Sequence, residues 1–400
     1  MTRKTHPWGM PPWTVDFHPA PVPLPDGVDF AIVGGGFTGL SAAAWLRRLA
    51  PDRSVIVLES ASLGEGASGR TGGLALADTA AGPLAGLGDV LSGYKKILRA
   101  LRVDSELELP GVWELGRSNA AAECSAPVGK NSPICWSDSS ELKVVRTVPG
   151  GAIDPGRVVA GLARAGEAAG AQIAEHARVH AIDFANPPRL CVRGNLRGHS
   201  RQKEIRAGQV LLATNALSSE LFRPHAVQPK LTLALATAPL TASQLTAIGL
   251  SSKRPFYTID LPYLWGRLLE SKGIVFGAGL VPAPASFEAL FRNPGSTRAS
   301  KGASNLYRFD VRKGETAERF SWLEGCVRNL HLALKSVRIT HRWAGPILIT
   351  ERMRPIFRLH PQCKNVMVLT GYNGHGVALS VYLGQWAAEA LLSLRSLPQW

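Results

Sequence analysis

Residues 29–43 read D-F-A-I-V-G-G-G-F-T-G-L-S-A-A. The apolar run Asp29–Val33 predicts a short buried strand, and the small residues of 40–49 predict a helix that stops before Pro51. The turn between them is a G-x-G-x-x-G pattern made of Gly34, Gly36 and Gly39. The first glycine permits a tight turn, the second a close approach to a pyrophosphate, and the third close helix–strand packing. This stretch therefore predicts a βαβ unit in which phosphates lie at a helix N-terminus.

A second strand and an acidic residue follow at the spacing that a dinucleotide site requires. Residues 54–58 (S-V-I-V-L) predict the strand, and Glu59 comes twenty residues after Gly39, where a carboxylate binds ribose hydroxyls. These features indicate an adenine dinucleotide but leave NAD and FAD undecided. The next segment, G-A-S-G-R-T-G-G at 66–73, offers backbone N–H groups, Ser68 and Arg70. It fits either a phosphate cradle or a contact along an isoalloxazine ring.

The rest of the pattern predicts two kinds of sheet. Asp154-Pro155 begins a helix that Gly170 ends. Short apolar strands are predicted at 177–184, 209–213 and 365–370. Residues 231–280 are β-rich, with hairpins near Leu261-Pro262 and at 271–273, which indicates a separate antiparallel sheet.

We therefore expect an α/β fold (α+β in its two-domain organisation). A discontinuous Rossmann-like FAD- or NAD-binding domain is expected to comprise 29–89, 150–228 and 338–400, and an antiparallel-sheet substrate domain 90–149 and 229–337. Residues 1–28, rich in Pro and Trp, are expected to form an extended lead on the surface.

Composition favours a large protein of a reducing compartment. The chain has 400 residues, is 45% hydrophobic and carries a formal net charge of +15. Its densest basic stretch, 193–206, is interpreted as a solvated hairpin, so no nucleic-acid partner is expected. Five widely spaced cysteines without C-x-x-C suit the cytoplasm. The apolar segment 377–394 contains Ser380, Gln385 and Glu389, which favours a buried helix over a membrane span.

Taken together, the motifs resemble those of the FAD-dependent D-amino-acid oxidase/glycine oxidase superfamily of amine and amino-acid oxidoreductases. Within it they look most similar to the γ-glutamylputrescine oxidoreductase-like branch. The resemblance rests on 29–43, 66–73, D-P-G-R-V-V-A-G-L-A-R (154–164), L-L-A-T-N-A (211–216), H-R-W-A-G-P (341–346) and G-Y-N-G-H-G (371–376). These stretches occur in family order, and the unmatched parts are mainly 90–150 and 281–337.

The resemblance implies an FAD that is bound non-covalently, since no cysteine stands at 374–376. It also implies that the turn at 371–376 lies against the isoalloxazine and that the final helix points its N-terminus at the pyrimidine edge, where reduced flavin is negative. The cofactor-binding residues expected are Gly34, Gly36, Phe37, Thr38, Gly39, Glu59, Ser60, Ala67, Ser68, Arg70, Thr71, Gly72, Gly73, Val179, Ala213, Thr214, Asn215, Gly345, Gly371, Asn373, Gly374, His375 and Gly376.

The reaction implied is oxidation of a C–N bond of a small-molecule amine or amino-acid derivative. Hydride passes from the α-carbon to flavin N5, and the imine is then hydrolysed. His375 is a candidate for proton handling, or for a hydrogen bond that fixes the turn. Tyr263, Trp265 and Arg267 are predicted on one strand face, as substrate contacts or as packing residues.

Two positions depart from the family pattern. Glycine and D-amino-acid oxidases clamp the substrate carboxylate with an arginine shortly after W-x-G, and Ile347 stands there in this chain, so a free amino acid is doubtful unless Arg354 or Arg267 substitutes. The monomeric sarcosine oxidase branch has an oxygen-activating lysine where this chain has Val275. The electron acceptor is therefore either O2 or another carrier.

The sequence is compatible with two other functions. Some relatives act on modified tRNA bases, and the +15 charge is compatible with that role if a basic face adjoins the flavin. A flavoprotein subunit for assembly or electron transfer would also depart from the family at substrate positions. Fold-level analogy does not choose among these.

Overall fold

The computed structural model describes residues 6–117, 142–196, 199–222, 227–259, 263–282 and 310–400. Its strands are β1 (Gly27–Val33), β2 (Val55–Leu58), β3 (Leu74–Leu76), β4 (Val112–Arg117), β5 (Leu142–Val148), β6 (Gly150–Ala152), β7 (Gln172–Ala174), β8 (Ala177–Asp183), β9 (Arg189–Leu196), β10 (His199–Leu212), β11 (Val227–Thr237), β12 (Phe256–Thr258), β13 (Trp265–Leu268), β14 (Ile274–Pro282), β15 (Ile339–Thr350), β16 (Ile356–His360) and β17 (Cys363–Thr370). Its helices are α1 (Phe37–Leu49), α2 (Ala67–Arg70), α3 (Val90–Ala100), α4 (Pro155–Ala168), α5 (Ala242–Ile248), α6 (Gly314–Leu330) and α7 (Gly376–Leu391).

The first sheet has the order β16-β17-β10-β1-β2-β7, with β8 and β9 joined to it through β10. Strands β17, β10, β1, β2 and β7 run parallel, and every residue of β2 is buried, as expected for a strand covered on both faces. Side chains alternate between two cores: Phe30 and Ile32 pack against helices α1, α3, α4 and α7, whereas Ala31 and Val33 face the β8–β9–β10 layer. The predicted α/β fold is confirmed.

The second sheet has the order β15-β11-β14-β13-β12-β4-β5 and is antiparallel except between β12 and β4. One face packs on α5 and α6 through residues such as Ile248, Phe320 and Leu323. The other face carries Trp343, Ala234 and Val275. Both predicted hairpins are present, as β12–β13 and β13–β14; the tip of the first, at Leu261-Pro262, lies outside the described residues.

One helix boundary and two domain assignments differ from the sequence interpretation. Helix α1 begins at Phe37 rather than at residue 40, because Gly36 already ends the turn as the N-cap. Strand β15 belongs to the second sheet, not to the dinucleotide domain, because it pairs along β11. Helix α3, assigned to the substrate domain from sequence, packs instead in the first core through Tyr94 and Ile97. The stretch 193–206 forms the predicted hairpin, β9–β10.

The lead at 1–28 was expected on the surface, and its described part is instead built into the molecule. We call residues 6–20 the strap. Trp8 is 1% exposed, and its carbonyl accepts a hydrogen bond from Ala344 N in β15 at 2.8 Å. The indole N–H of Trp13 donates to the Gly69 carbonyl in α2 at 2.8 Å. The strap therefore ties the second sheet to the helices of the first, because burying two indoles outweighs the cost of ordering the segment.

Helix α7 is the most apolar helix of the fold and is largely buried, as its sequence predicts. No helix in the described part of the chain combines the length and the apolar character that crossing a bilayer requires.

Trp8→Ala is expected to destabilise the protein by about 3–5 kcal/mol, the usual range for removing a buried aromatic ring. Trp322→Ala is the matched control, since Trp322 on α6 is 43% exposed, and its effect should stay within about 0.5 kcal/mol. Urea unfolding followed by circular dichroism measures both. Equal stability of the two variants would contradict the role given to the strap.

Candidate functional site

The first glycine turn brings strand β1 and helix α1 into backbone contact. A Cβ on Gly39 would lie 2.0 Å from the Gly34 carbonyl oxygen, so a larger residue does not fit there. Gly34 itself has a φ of 113°, in the region that favours glycine. No side chain caps the N-terminus of α1 at Gly36, and no acid lies in its first turn. The helix therefore presents a positive end suited to an anion.

Glu59, at the end of β2, is held by backbone groups next to this turn. Its carboxylate accepts hydrogen bonds from Gly35 N at 2.7 Å and from Ala61 N at 2.9 Å. Burial raises the pKa of Glu59, and these hydrogen bonds act against that rise. The acid predicted from spacing is thus placed beside the glycine turn, within reach of a ribose bound there.

A cavity of about 280 Å³ opens where β1, β2 and β10 end. Ten of the predicted residues line it: Gly34, Gly36, Glu59, Ser60, Ala67, Ser68, Val179, Ala213, Thr214 and Asn215. The sequence reasoning missed nine others: Val33, Leu58, Ala61, Gly64, Glu65, Gly66, Arg178, Leu217 and Leu221. Val33 and Leu58 end parallel strands, a position that could have indicated them. For Arg178, the only pointer in the sequence is that its neighbour Val179 is predicted to contact the cofactor.

These groups fit the adenosine-diphosphate half of FAD. The uncapped end of α1 suits the pyrophosphate, Glu59 suits the ribose, and apolar Leu58 and Val179 suit the adenine. The remaining predicted cofactor residues lie outside the cavity lining. They are Phe37, Thr38, Gly39, Arg70, Thr71, Gly72, Gly73, Gly345, Gly371, Asn373, Gly374, His375 and Gly376.

The second glycine turn, at 371–376, is hydrogen-bonded to the first, at 34–39. The hydroxyls of Tyr372 and Thr38 lie 2.7 Å apart in a buried hydrogen bond. Gly371 N donates to the Asn215 side chain at the cavity edge, at 3.3 Å. The buried side chain of Asn373 accepts from Thr350 N at 2.7 Å and donates to the Gly371 carbonyl at 2.6 Å. The structure thus brings the two turns together, and α7 begins directly after the second turn with no side chain capping its N-terminus.

Arg70 points away from the cavity. Its guanidinium donates to the carbonyls of Glu65 and Gly9, both at 2.7 Å, and lies over the Trp8 ring. Its own carbonyl accepts the indole N–H of Trp343 at 2.8 Å. Gly345 faces the Arg70 side chain, at 3.4 Å from where its Cβ would lie. Arg70 and Gly345 therefore connect α2 to the second sheet and the strap.

One row of residues crosses the second sheet on the face that carries Trp343. In the strand pairing, Trp265 lies opposite Gly277 of β14 on one side and opposite Tyr257 of β12 on the other. Tyr257 in turn lies opposite Glu114 of β4. The Tyr257 hydroxyl donates to the buried Glu114 carboxylate, which also pairs with Arg146. The Trp265 ring packs on Gly72 of the predicted flavin loop, where a Cβ would lie 2.1 Å from it. This row was not predicted, because it depends on pairing between strands distant in sequence.

Tyr263 does not share this face, which corrects the sequence prediction. Strand β13 starts at Trp265, and Tyr263 precedes it with a φ of 54° and 54% exposure. Trp265 and Arg267 do project from one face of β13, as alternation requires.

His375 is the N-cap residue of α7. Its Nδ1 lies 3.3 Å from the Asn373 carbonyl, so a hydrogen on Nδ1 leaves Nε2 as an acceptor. Burial lowers the pKa of His375, and the Asn373 carbonyl and the Asp78 charge oppose this. A neutral imidazole there can accept a proton.

Gly39→Ala is expected to destabilise the protein by about 1–3 kcal/mol, because the new methyl group overlaps the Gly34 carbonyl. Gly66→Ala is the control, since nothing lies within 4 Å of its Cβ position and its φ is −75°. Thermal unfolding compares the two. A Gly39→Ala protein as stable as the control would show that close packing at this turn is not required.

Known FAD-dependent and other oxidoreductases are similar to this chain in sequence and in fold. The chain is 25% identical to a protein named probable oxidoreductase OrdL of Rhizobium meliloti, across 91% of this chain and 83% of that one. It is 24% identical to γ-glutamylputrescine oxidoreductase of Escherichia coli, with the same coverage. In fold it is similar to glycine oxidase of Geobacillus kaustophilus, with a TM-score of 0.69 and 18% identity over 93% of this chain and 96% of that one.

The family described as FAD dependent oxidoreductase (DAO) matches residues 29–390, which is most of the chain. That match includes the first glycine turn, Glu59 and helix α7 up to residue 390. The chain belongs to the DAO family of FAD-dependent oxidoreductases.

Proposed function

We propose that this oxidoreductase oxidises the C–N bond of an amine or amino-acid derivative, with FAD held non-covalently. The observation that carries the proposal is the hydrogen bond between Thr38 and Tyr372, which joins the two glycine turns. It joins the turns at the start of two uncapped helix N-termini, those of α1 and α7, and so supports a cofactor region that both helices adjoin. One suits the pyrophosphate and the other the charge of a reduced flavin.

FAD bound in this site would take up a hydride from the carbon next to the substrate nitrogen, and water would hydrolyse the imine that results. The chain supplies positioning, water exclusion and proton handling. Trp265 and Tyr257 form an aromatic wall on the second sheet. We assign His375 Nε2 as the acceptor of the proton that an ammonium substrate must lose, because burial lowers the pKa of this imidazole and so favours its neutral form.

The names of related proteins support the substrate class. One relative is named γ-glutamylputrescine oxidoreductase, and structures of similar fold are titled glycine oxidase and iminodiacetate oxidase. The electron acceptor in the proposal is either O2 or another carrier. Val275, which the family resemblance aligns with an oxygen-activating lysine, is a fully buried aliphatic side chain in this chain.

A role in tRNA modification has less support. It requires a basic face beside the flavin. The basic stretch 193–206 forms the β9–β10 hairpin, and His199, the first residue of β10, lies at the opposite end of this strand from Ala213 and Thr214. Fourteen residues of β10 separate the two ends, roughly 40 Å of extended chain.

The first test is the visible absorption spectrum of the purified protein, followed by anaerobic addition of a panel of amines. Flavin bands that an amine bleaches would support the proposal. A protein that is colourless and takes up no added FAD would overturn it. Flavin that no amine reduces would favour an electron-transfer subunit instead.

Glu59→Gln is expected to weaken FAD binding about tenfold, because the neutral amide loses the charge-assisted hydrogen bonds of the carboxylate. Asp52→Asn, at the opposite end of β2 and 82% exposed, is the control for removing a negative charge. Titration of the apoprotein with FAD, followed by flavin fluorescence, gives both dissociation constants. A similar loss in the two variants would assign the effect to net charge rather than to the Glu59 contact.

A further inference from the structure

Residues 64–70, which we call the cavity loop, form one wall of the cavity beside the first glycine turn. Five consecutive residues of this loop, 64–68, line the cavity. The loop includes helix α2, which has four residues and no side chain capping its N-terminus. A helix of this length is not stable by itself in water, so contacts with other parts of the chain must fix its position.

The helices of the first sheet hold the beginning and the middle of the cavity loop. The Ser68 hydroxyl accepts a hydrogen bond from Phe37 N, at the start of α1, at 2.9 Å. Val159 of α4 packs on Gly64, where a Cβ would lie 3.2 Å from its side chain. Neither of these contacts involves the end of α2, at residues 69 and 70.

The strap supplies the contacts at the end of α2. The indole N–H of Trp13 donates to the Gly69 carbonyl at 2.8 Å, and the Gly9 carbonyl accepts from the Arg70 guanidinium at 2.7 Å. The bond between Trp13 and Gly69 is buried, so losing the indole N–H would leave the Gly69 carbonyl without a donor in the interior. The position of α2 therefore depends on the strap as well as on the first sheet.

His6 joins the strap to Glu65, a charged residue of the cavity lining. Trp8 N donates to His6 Nδ1 at 3.0 Å, so the ring hydrogen lies on Nε2, and Nε2 lies 3.0 Å from the Glu65 carboxylate. The hydrogen bond from His6 lowers the pKa of Glu65, so this carboxyl is charged at neutral pH. Burial raises the pKa of Glu59, and the Glu65 charge adds to that rise. His6 thus acts through Glu65 on the acid beside the glycine turn.

We propose that the strap retains the cofactor, with His6 and Trp13 as positioning residues that hold the cavity loop in place around the ADP half of FAD. Neither residue belongs to the cavity lining, so replacing them removes no group that lines the cavity. The inference rests on the non-covalent FAD of the proposed function and not on its substrate. Because linkage is reciprocal, bound FAD stabilises the docked strap by the same factor by which the strap tightens FAD binding.

The first test measures how fast the FAD-loaded full-length protein releases FAD after dilution, with the free flavin collected by ultrafiltration. His6→Ala and Trp13→Phe are each expected to release FAD about fivefold faster than the wild type, the effect of losing one ordinary hydrogen bond. His6→Gln, whose amide can still donate to Glu65, should recover part of the retention.

Two variants serve as matched controls. His18→Ala removes an imidazole from the same strap, where His18 is exposed. Trp45→Phe removes an indole N–H that is buried and has no hydrogen-bond partner among the described residues. Both controls should release FAD at the wild-type rate.

The second test uses the wild type alone, so it does not depend on the folding of any variant. Amide hydrogen exchange of residues 6–20 is compared by mass spectrometry in the apoprotein and in the FAD-loaded protein. We expect exchange in the strap to be at least about fivefold slower with FAD bound. Residues 314–330 of α6, on the other side of the second sheet, are the reference and should change less.

Wild-type release rates in both His6→Ala and Trp13→Phe would overturn the inference, as would equal acceleration in the two controls. Strap exchange that is the same with and without FAD would overturn it as well. Failure of the proposed function is distinct, because these measurements use no substrate. A wild type that holds flavin but that no amine reduces leaves the retention result standing. A wild type that takes up no FAD would remove both, and missing flavin bands identify that outcome.

Discussion

The site depends on how closely helix α7 approaches helix α1. A Cβ on Gly384 would lie 2.7 Å from the Thr38 carbonyl, and the Ser41 hydroxyl donates to the Val381 carbonyl at 2.8 Å. At this separation the Thr38 and Tyr372 hydroxyls meet, so the beginning of α7 is fixed relative to the beginning of α1. A larger residue in place of Gly384 would separate the helices and with them the two halves of the site.

The sequence was informative wherever the chemistry is local. The strand, glycine turn and helix at 27–49, the acid at Glu59 and the helix at Asp154-Pro155 follow from patterns within one or two turns of chain. The second glycine turn was predicted from resemblance, and the contact that explains it, Thr38 with Tyr372, spans 334 residues. Contacts that depend on the register of paired strands could not be predicted from the sequence. Tyr257, Glu114 and Arg146 become neighbours only because β12, β4 and β5 pair as they do.

The strap shows why composition alone misjudged the lead. A composition rich in Pro and Trp predicts a surface segment, yet an indole is an amphipathic group that is stabilised most when its ring is buried and its N–H is hydrogen-bonded. Trp13 meets both conditions, with its ring against Trp343 and its N–H on the Gly69 carbonyl. Alternation on a strand predicts the face on which Arg267 lies, but its burial and its hydrogen bond to the Gly72 carbonyl depend on how the two sheets pack.

The position of β17 in the first sheet has a consequence for biosynthesis. This strand, 363–370, pairs with Val210–Leu212 of β10, and Tyr372 follows it. During translation the central parallel strands are made long before this partner, so one edge of the sheet stays unpaired until residues 363–370 have left the ribosome. The hydrogen bond between Thr38 and Tyr372 therefore forms late in synthesis, after the first glycine turn and its helix have been available for most of the time that the chain takes to grow.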